Sequence, residues 1–96
     1  MRRAAKIDGT QTAIVDALRR CGVHVECIGK PVDLLCSWRG SWFVVEVKSP
    51  RPTSEGGAHG LTKDQVEFIG RSNGPVHIVR TPDEAIRAVL GAEVMK

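Results

Sequence analysis

Three side chains that could bind a metal ion or a phosphate, Asp33, Glu46 and Lys48, flank two short apolar segments on either side of Arg39-Gly40. This pattern predicts two antiparallel strands joined by a tight turn. A two-residue turn at 39–40, or a four-residue loop at 38–41, pairs residues whose numbers sum to 79 and places Asp33 opposite Glu46. Side chains alternate along a strand, so Lys48 shares a face with Glu46. A three-residue turn would shift the register by one and separate the two acids.

Two interpretations of this cluster are open from the spacing. Facing carboxylates repel each other in a sheet, and partial burial strengthens the repulsion. A hard divalent cation removes the conflict, because Mg²⁺ prefers oxygen ligands and binds through one or two carboxylates while keeping several waters. The other interpretation is an ion pair between Lys48 and either acid at a solvated end of the sheet.

The order of these motifs resembles a known family. Asp33 is followed by twelve residues and then by Glu46-Val47-Lys48, and a segment beginning Leu61-Thr62-Lys63-Asp64-Gln65 comes next. This arrangement resembles the PD-(D/E)XK nuclease superfamily, and most of all its small phage-type VRR-NUC and Holliday-junction-resolvase branches. The likeness spans roughly residues 8 to 79. One departure is that the proline of the usual Pro-Asp pair is displaced by one position, as Pro31-Val32-Asp33.

The resemblance implies a metal-dependent DNA endonuclease with a restriction-endonuclease-like core. It implies that Asp33 and Glu46 bind Mg²⁺ or Mn²⁺, with the carbonyl of Val47 as a third ligand. Lys48 would then orient or deprotonate the attacking water or neutralise the phosphate, and the products would carry 5′-phosphate and 3′-hydroxyl groups. In these relatives a polar residue near the position of Gln65 points into the catalytic pocket.

Several other residues have two interpretations each. Gln65 is also the fourth residue of Thr62-Lys63-Asp64-Gln65, a capping box that predicts a helix over 63–72. Gln11 falls where the relatives have an acidic residue, so it either lines the site or is simply exposed on a helix. Candidates for phosphate contact, each of which could equally be a surface residue without a role, are Lys30, Arg51 and His59.

The remaining patterns predict an α/β single domain over 1–96, with one mixed sheet flanked by helices in the order αβββαβα. A helical pattern ends at Gly22, and alternation predicts a strand over 23–28 with Cys27 on its inner face. A short strand over 75–79 precedes a last helix that is capped at 81–84 and expected to stop at Gly91. Residues 1–7 form a basic arm, and the glycine- and proline-rich segment 49–60 is predicted to be a flexible loop.

Composition narrows the class of protein. The net charge of +3 and the pI near 9.0 are compatible with nucleic acid, and the resemblance implies double-stranded or branched DNA as partner. No apolar run approaches the roughly 20 residues needed to span a bilayer. Three cysteines without a C-x-x-C pair indicate reduced core thiols in a cytosolic protein. With the phage-type resemblance, the expected location is the cytoplasm of a bacterial or phage-infected cell. Because paired strands need two sites, we expect a homodimer. The alternative function is a catalytically silent nucleic-acid-binding or interaction module with the same fold.

Overall fold

The fold is described by a computed structural model that covers residues 9–49 and 61–94, with side chains to residue 91. The predicted basic arm at 1–7 and the predicted loop, apart from Ser49, lie outside the described residues.

Three helices and four strands follow the predicted order αβββαβα. Their bounds are α1 Gly9–Arg20, β1 His24–Cys27, β2 Leu34–Trp38, β3 Ser41–Val47, α2 Lys63–Arg71, β4 Val76–Val79 and α3 Pro82–Val94. The strands form one sheet in the order β1-β2-β3-β4. The first three are antiparallel neighbours, and β4 is parallel to β3. The chain is therefore a mixed α/β single domain, as predicted.

The predicted register of the central hairpin is confirmed. Trp38 pairs with Ser41 and Leu34 with Val45, so paired residues sum to 79. The two-residue turn has Arg39 at φ 50° and Gly40 at φ 84°. Two consecutive positive φ angles match the right-handed twist of the flanking strands, and glycine adopts the second without steric cost.

The hydrophobic core lies between one face of the sheet and the helices α1 and α3. It includes Leu34 and Cys36 from β2 and Val45 from β3, all fully buried. Helices α1 and α3 contact each other and this face, while α2 reaches the sheet from the opposite side through Gln65. Because side chains alternate, Glu46 points away from the core cluster that buries Val45.

Helix α1 ends as predicted at a left-handed glycine. Gly22 has φ +92°, its N–H donates to Arg19 O, and Val23 N–H donates to Leu18 O, each at 3.0 Å. This pair of bonds is a Schellman motif, which satisfies carbonyls at the helix end.

Two sequence predictions about the fold are wrong. Helix α3 does not stop at Gly91 but continues to Val94. A glycine inside a helix costs only about 1 kcal/mol relative to alanine, and the next two residues are good helix formers. Cys27 is exposed rather than a core thiol, because it is the last residue of an edge strand. Cys36 is buried, which raises the pKa of its thiol to about 11.

No helix in the described part of the chain is both long enough and apolar enough to cross a membrane.

Candidate active site

The candidate site lies where β2 begins and β3 ends. Asp33 directly precedes β2, and Glu46 is the second-last residue of β3. Extending the register by one pair from Leu34–Val45 places the two acids opposite each other. The side chain of Glu46 is only 3% exposed, so an ionisable group is enclosed at this end of the sheet.

Each of the two acids accepts a hydrogen bond from a main-chain N–H group on the neighbouring segment. Asp33 N–H donates to Glu46 Oε1 at 3.2 Å, and Val47 N–H donates to Asp33 Oδ2 at 2.9 Å. The ladder between β2 and β3 ends at Leu34, so the side chain of Asp33 takes the place of a strand partner for Val47. Asp33 O also accepts from Ile28 N at 2.9 Å. The position of both carboxyl groups is therefore set by the sheet itself.

Lys48 completes the cluster from the residue after β3. Its main-chain N–H donates to Val79 O at 2.9 Å, which holds the backbone against β4. Its Nζ lies 3.2 Å from Glu46 Oε2 and donates to Gln65 Oε1 at 2.9 Å. An ion pair between Lys48 and one of the acids, predicted as the alternative to a metal site, is present. The side chains of Lys48 and Glu46 are only 15% and 3% exposed, so the pair does not lie at a solvated end of the sheet.

Gln65 closes the predicted capping box and also contacts Glu46 and Lys48, while its catalytic role stays a prediction. The capping box is present, with Thr62 Oγ1 accepting from Gln65 N at 3.2 Å and Gln65 Oε1 accepting from Thr62 N at 3.1 Å. The same amide donates from Nε2 to Glu46 Oε2 at 2.5 Å and accepts from Lys48. Thr62 is a site-positioning residue that the sequence reasoning treated only as a cap. The capping-box sequence could have indicated this role of Thr62, since the box fixes the direction in which the amide of Gln65 points.

The environment of Glu46 favours its protonated form. Burial raises the pKa of Glu46 above its ordinary value of 4.5, and the neighbouring Asp33 raises it further through its charge and a side-chain hydrogen bond. Lys48 acts in the opposite direction through a hydrogen bond and its charge, without cancelling the rise. Burial and the neighbouring carboxylate thus both disfavour the ionised form of Glu46.

This raised pKa predicts a pH dependence of stability. A group whose pKa is higher in the folded than in the unfolded protein stabilises the fold fully below the unfolded value, and the stabilisation is lost as pH rises through the folded value. Without metal, the contribution of Glu46 to the free energy of unfolding should therefore decline from about pH 4.5 upward. Urea unfolding between pH 4 and 8 measures it. Glu46→Gln should flatten this decline, whereas Glu67→Gln, at an exposed position of α2, should leave it intact. Equal slopes in all three proteins would contradict the assignment.

A cleft of about 570 Å³ opens beside the site, between α2 and the turn that joins β1 to β2. Lys30 and Pro31 line one wall, and Gln65 and Arg71 belong to the other. The predicted phosphate contact Lys30 is thus placed next to the cluster, and Arg71 joins it without having been predicted.

Three other predicted site residues, Gln11, Arg51 and His59, are not tested by the geometry of this cluster. Gln11 is half-buried in the first turn of α1, in line with the core residues Ile14 and Leu18, and its site-lining role stays a prediction. Arg51 and His59 lie outside the described residues.

The ligands offered to a metal are few. Within residues 9–49 and 61–94 no group of three or more His, Cys, Asp or Glu side chains is placed to hold a metal ion. The acidic side chains at the site are Asp33 and Glu46. Because the N–H and C=O of a strand residue point to the same neighbour, the carbonyl of Val47 lies on the side of Asp33, to which its N–H donates. Two carboxylates and one carbonyl suit Mg²⁺, which keeps several waters.

Comparison with models of protein families, with curated proteins and with solved structures found no match to this chain.

Proposed function

We propose that this protein is a Mg²⁺- or Mn²⁺-dependent deoxyribonuclease that hydrolyses phosphodiester bonds in branched, flap or junction DNA. The observation that carries the proposal is the partly buried network of Asp33, Glu46, Lys48 and Gln65, which come from three separate parts of the chain. A purely structural ion pair would not need a second carboxylate that raises the pKa of Glu46. The resemblance of the Asp…Glu-x-Lys order to PD-(D/E)XK nucleases agrees with this chemistry.

The donor set fits a hard cation. Asp33, Glu46 and the Val47 carbonyl would hold the ion, which would relieve the repulsion between the carboxylates. When bound, the ion supplies a water of lowered pKa and neutralises charge that develops on the phosphate.

The remaining side chains would position the reacting groups and neutralise the charge of the phosphate. Gln65 holds the amine of Lys48 and one oxygen of Glu46, so the two groups keep a fixed separation. Lys48 would orient or deprotonate the attacking water, or neutralise the phosphate, from a largely desolvated position where its charge acts strongly. Lys30 would contact the DNA backbone along the cleft. We place this activity in the cytoplasm of a bacterial or phage-infected cell.

The test is cleavage of end-labelled branched and linear duplex DNA with Mg²⁺, with Mn²⁺ and with a chelator. We expect cleavage of the branched substrate with either metal and none with the chelator. Asp16→Asn, at an exposed acid of α1, is the control for site variants and should cut like the wild type. Binding of DNA without cleavage under every metal condition would favour the catalytically silent module instead.

We also propose a homodimer. One described chain presents one cluster of this kind, and two strands of a junction or flap need two. Closed two-fold assemblies are the commonest solution. Light scattering with and without branched DNA measures this, and we expect the mass of two chains in at least the DNA-bound sample. A monomer mass in both would contradict it.

A further inference from the structure

A second set of polar and aromatic side chains lies on the same face of the sheet as the site, at the opposite end of the hairpin. His24 is opposite Ser37, and Ser37 is opposite Trp42, so the three side chains form a row across β1, β2 and β3. Trp42, Val44 and Glu46 alternate with the core residues of β3 and therefore share this face. The indole of Trp42 is 63% exposed, the most among the large hydrophobic side chains described.

Two arginines and one acid, Arg39, Arg19 and Glu26, line the two hollows beside this indole. A hollow of about 450 Å³ is lined by Trp42 and by the exposed Arg39, among others. The guanidinium of Arg39 lies 5.1 Å from the ring centroid of Trp38. Arg19, which donates to Val25 O at 2.9 Å, lines the adjoining hollow together with Glu26 and His24. The ring of His24 lies 2.7 Å from Glu26 Oε2. An exposed aromatic ring among cationic side chains is the combination that binds unpaired bases of nucleic acid.

The spacing between Trp42 and the site has a direct counterpart in DNA. Four strand residues of about 3.3 Å each separate Trp42 from Glu46, which gives roughly 13 Å. One strand of B-form DNA advances about 3.4 Å per nucleotide, so this distance corresponds to about four stacked nucleotides.

We propose that Trp42 selects branched DNA by stacking on a base left unpaired at the branch point, about four nucleotides from the phosphate that is cut at the Asp33–Glu46 cluster. In a continuous duplex the faces of the bases are covered by their neighbours, and exposing one costs free energy. At a branch point one base is already unstacked, so the indole can contact it without that free-energy cost, which is not possible in linear DNA. This inference rests on the proposed nuclease function and adds the determinant of its substrate preference.

The experiment compares wild type with Trp42→Ala, Trp42→Leu and Trp42→Phe in single-turnover cleavage of branched and linear duplexes of the same sequence. Leucine keeps an apolar side chain without a ring, and phenylalanine keeps the ring. We expect Ala and Leu to lower the branched-to-linear ratio of rates by about 5- to 140-fold, since stacking on one base is worth that much in affinity. Linear cleavage should not change, and Phe should restore most of the ratio. Wild-type cuts should map about four nucleotides from the branch, and those of the Ala variant should scatter.

Affinity for the same two DNAs, measured by anisotropy in chelator, gives a readout that does not need cleavage. A wild-type preference for branched DNA that Trp42→Ala removes would support the contact even if no substrate were cut, in which case the nuclease proposal alone would fail. An unchanged branched-to-linear ratio in both assays would overturn the inference while leaving the nuclease proposal intact. A loss of dimer mass in Trp42→Ala, with equal losses on both DNAs, would assign the indole to a contact between two copies of the chain and would also overturn it.

Discussion

Replacing Lys48 by alanine is expected to lower the single-turnover rate of DNA cleavage by about 10²-fold or more, while DNA affinity falls much less. The amine of Lys48 is held 3.2 Å from Glu46 and 2.9 Å from Gln65, so it lies beside a carboxyl group that would hold the metal in the proposed mechanism. Loss of a charge that acts mainly in the transition state lowers the rate rather than binding. Most of the affinity comes from several phosphate contacts spread over the surface.

A second substitution separates the roles of this lysine. Arginine keeps the positive charge but cannot take up a proton from water, because the guanidinium stays protonated. Lys48→Arg should retain much of the rate if Lys48 neutralises the phosphate or orients the water, and should be as slow as alanine if it deprotonates the water. Lys63→Ala, at the exposed start of α2, is the control and should cut at the wild-type rate. If Lys48→Ala cuts normally, or if cleavage and affinity fall equally, the catalytic role of Lys48 is wrong.

The stability of Lys48→Ala depends on how deeply the ion pair between Lys48 and Glu46 is buried. An exposed ion pair contributes up to about 1 kcal/mol, whereas removing one partner of a buried pair costs about 3–5 kcal/mol. Glu46 is nearly enclosed, but protonation relieves part of the loss, because Lys48 is the group that lowers the pKa of Glu46. We therefore expect Lys48→Ala to lower the free energy of unfolding by an amount between these two values near pH 7. Urea unfolding measures this loss, which should be smaller near pH 4.5.

The hairpin and its cluster could be predicted because local rules determined them. A two-residue turn fixes the pairing of every following residue, and the side chains of a strand alternate, so Asp33 and Glu46 had to meet once Arg39-Gly40 formed the turn. The capping box likewise fixed the start of α2 and the identity of its cap, Thr62.

Other features depended on packing that the sequence pattern does not contain. The docking of α2 against the end of β3 decides that Gln65 serves the cap and the site together, and that Glu46 is buried rather than solvated. Trp42 follows the turn in a segment that looks uniformly apolar, and only the arrangement of sheet and helices decides that its face is left open. Gly91 carries a common helix-stop signal, but α3 continues past it.

Replacing Asp33 by asparagine is expected to reverse the order of stability of the two proteins when metal is added. Asparagine keeps the size of the side chain and an oxygen that can accept from Val47 N–H, so the strand ends should stay joined. Without metal, the variant loses the charge that raises the pKa of Glu46, and should be at least as stable as the wild type at pH 7. With metal, the wild type gains stability by mass action, about 2.7 kcal/mol at a metal concentration 100 times the Kd.

The experiment is a thermal melt of wild type, Asp33→Asn and the control Asp16→Asn in chelator and in a series of Mn²⁺ concentrations. A gain of 2.7 kcal/mol corresponds to a rise in Tm of roughly 10–20 °C for a domain of this size, and the control should show the same rise. Asp33→Asn should show little of it, and its cleavage rate should fall by about 10²-fold or more, since one of the two carboxylates that bind the ion is gone. A wild-type Tm that does not respond to millimolar Mn²⁺ would remove the metal from this site. A full response in Asp33→Asn would place the metal elsewhere in the protein, and Asp33 would then serve only to join the two strands.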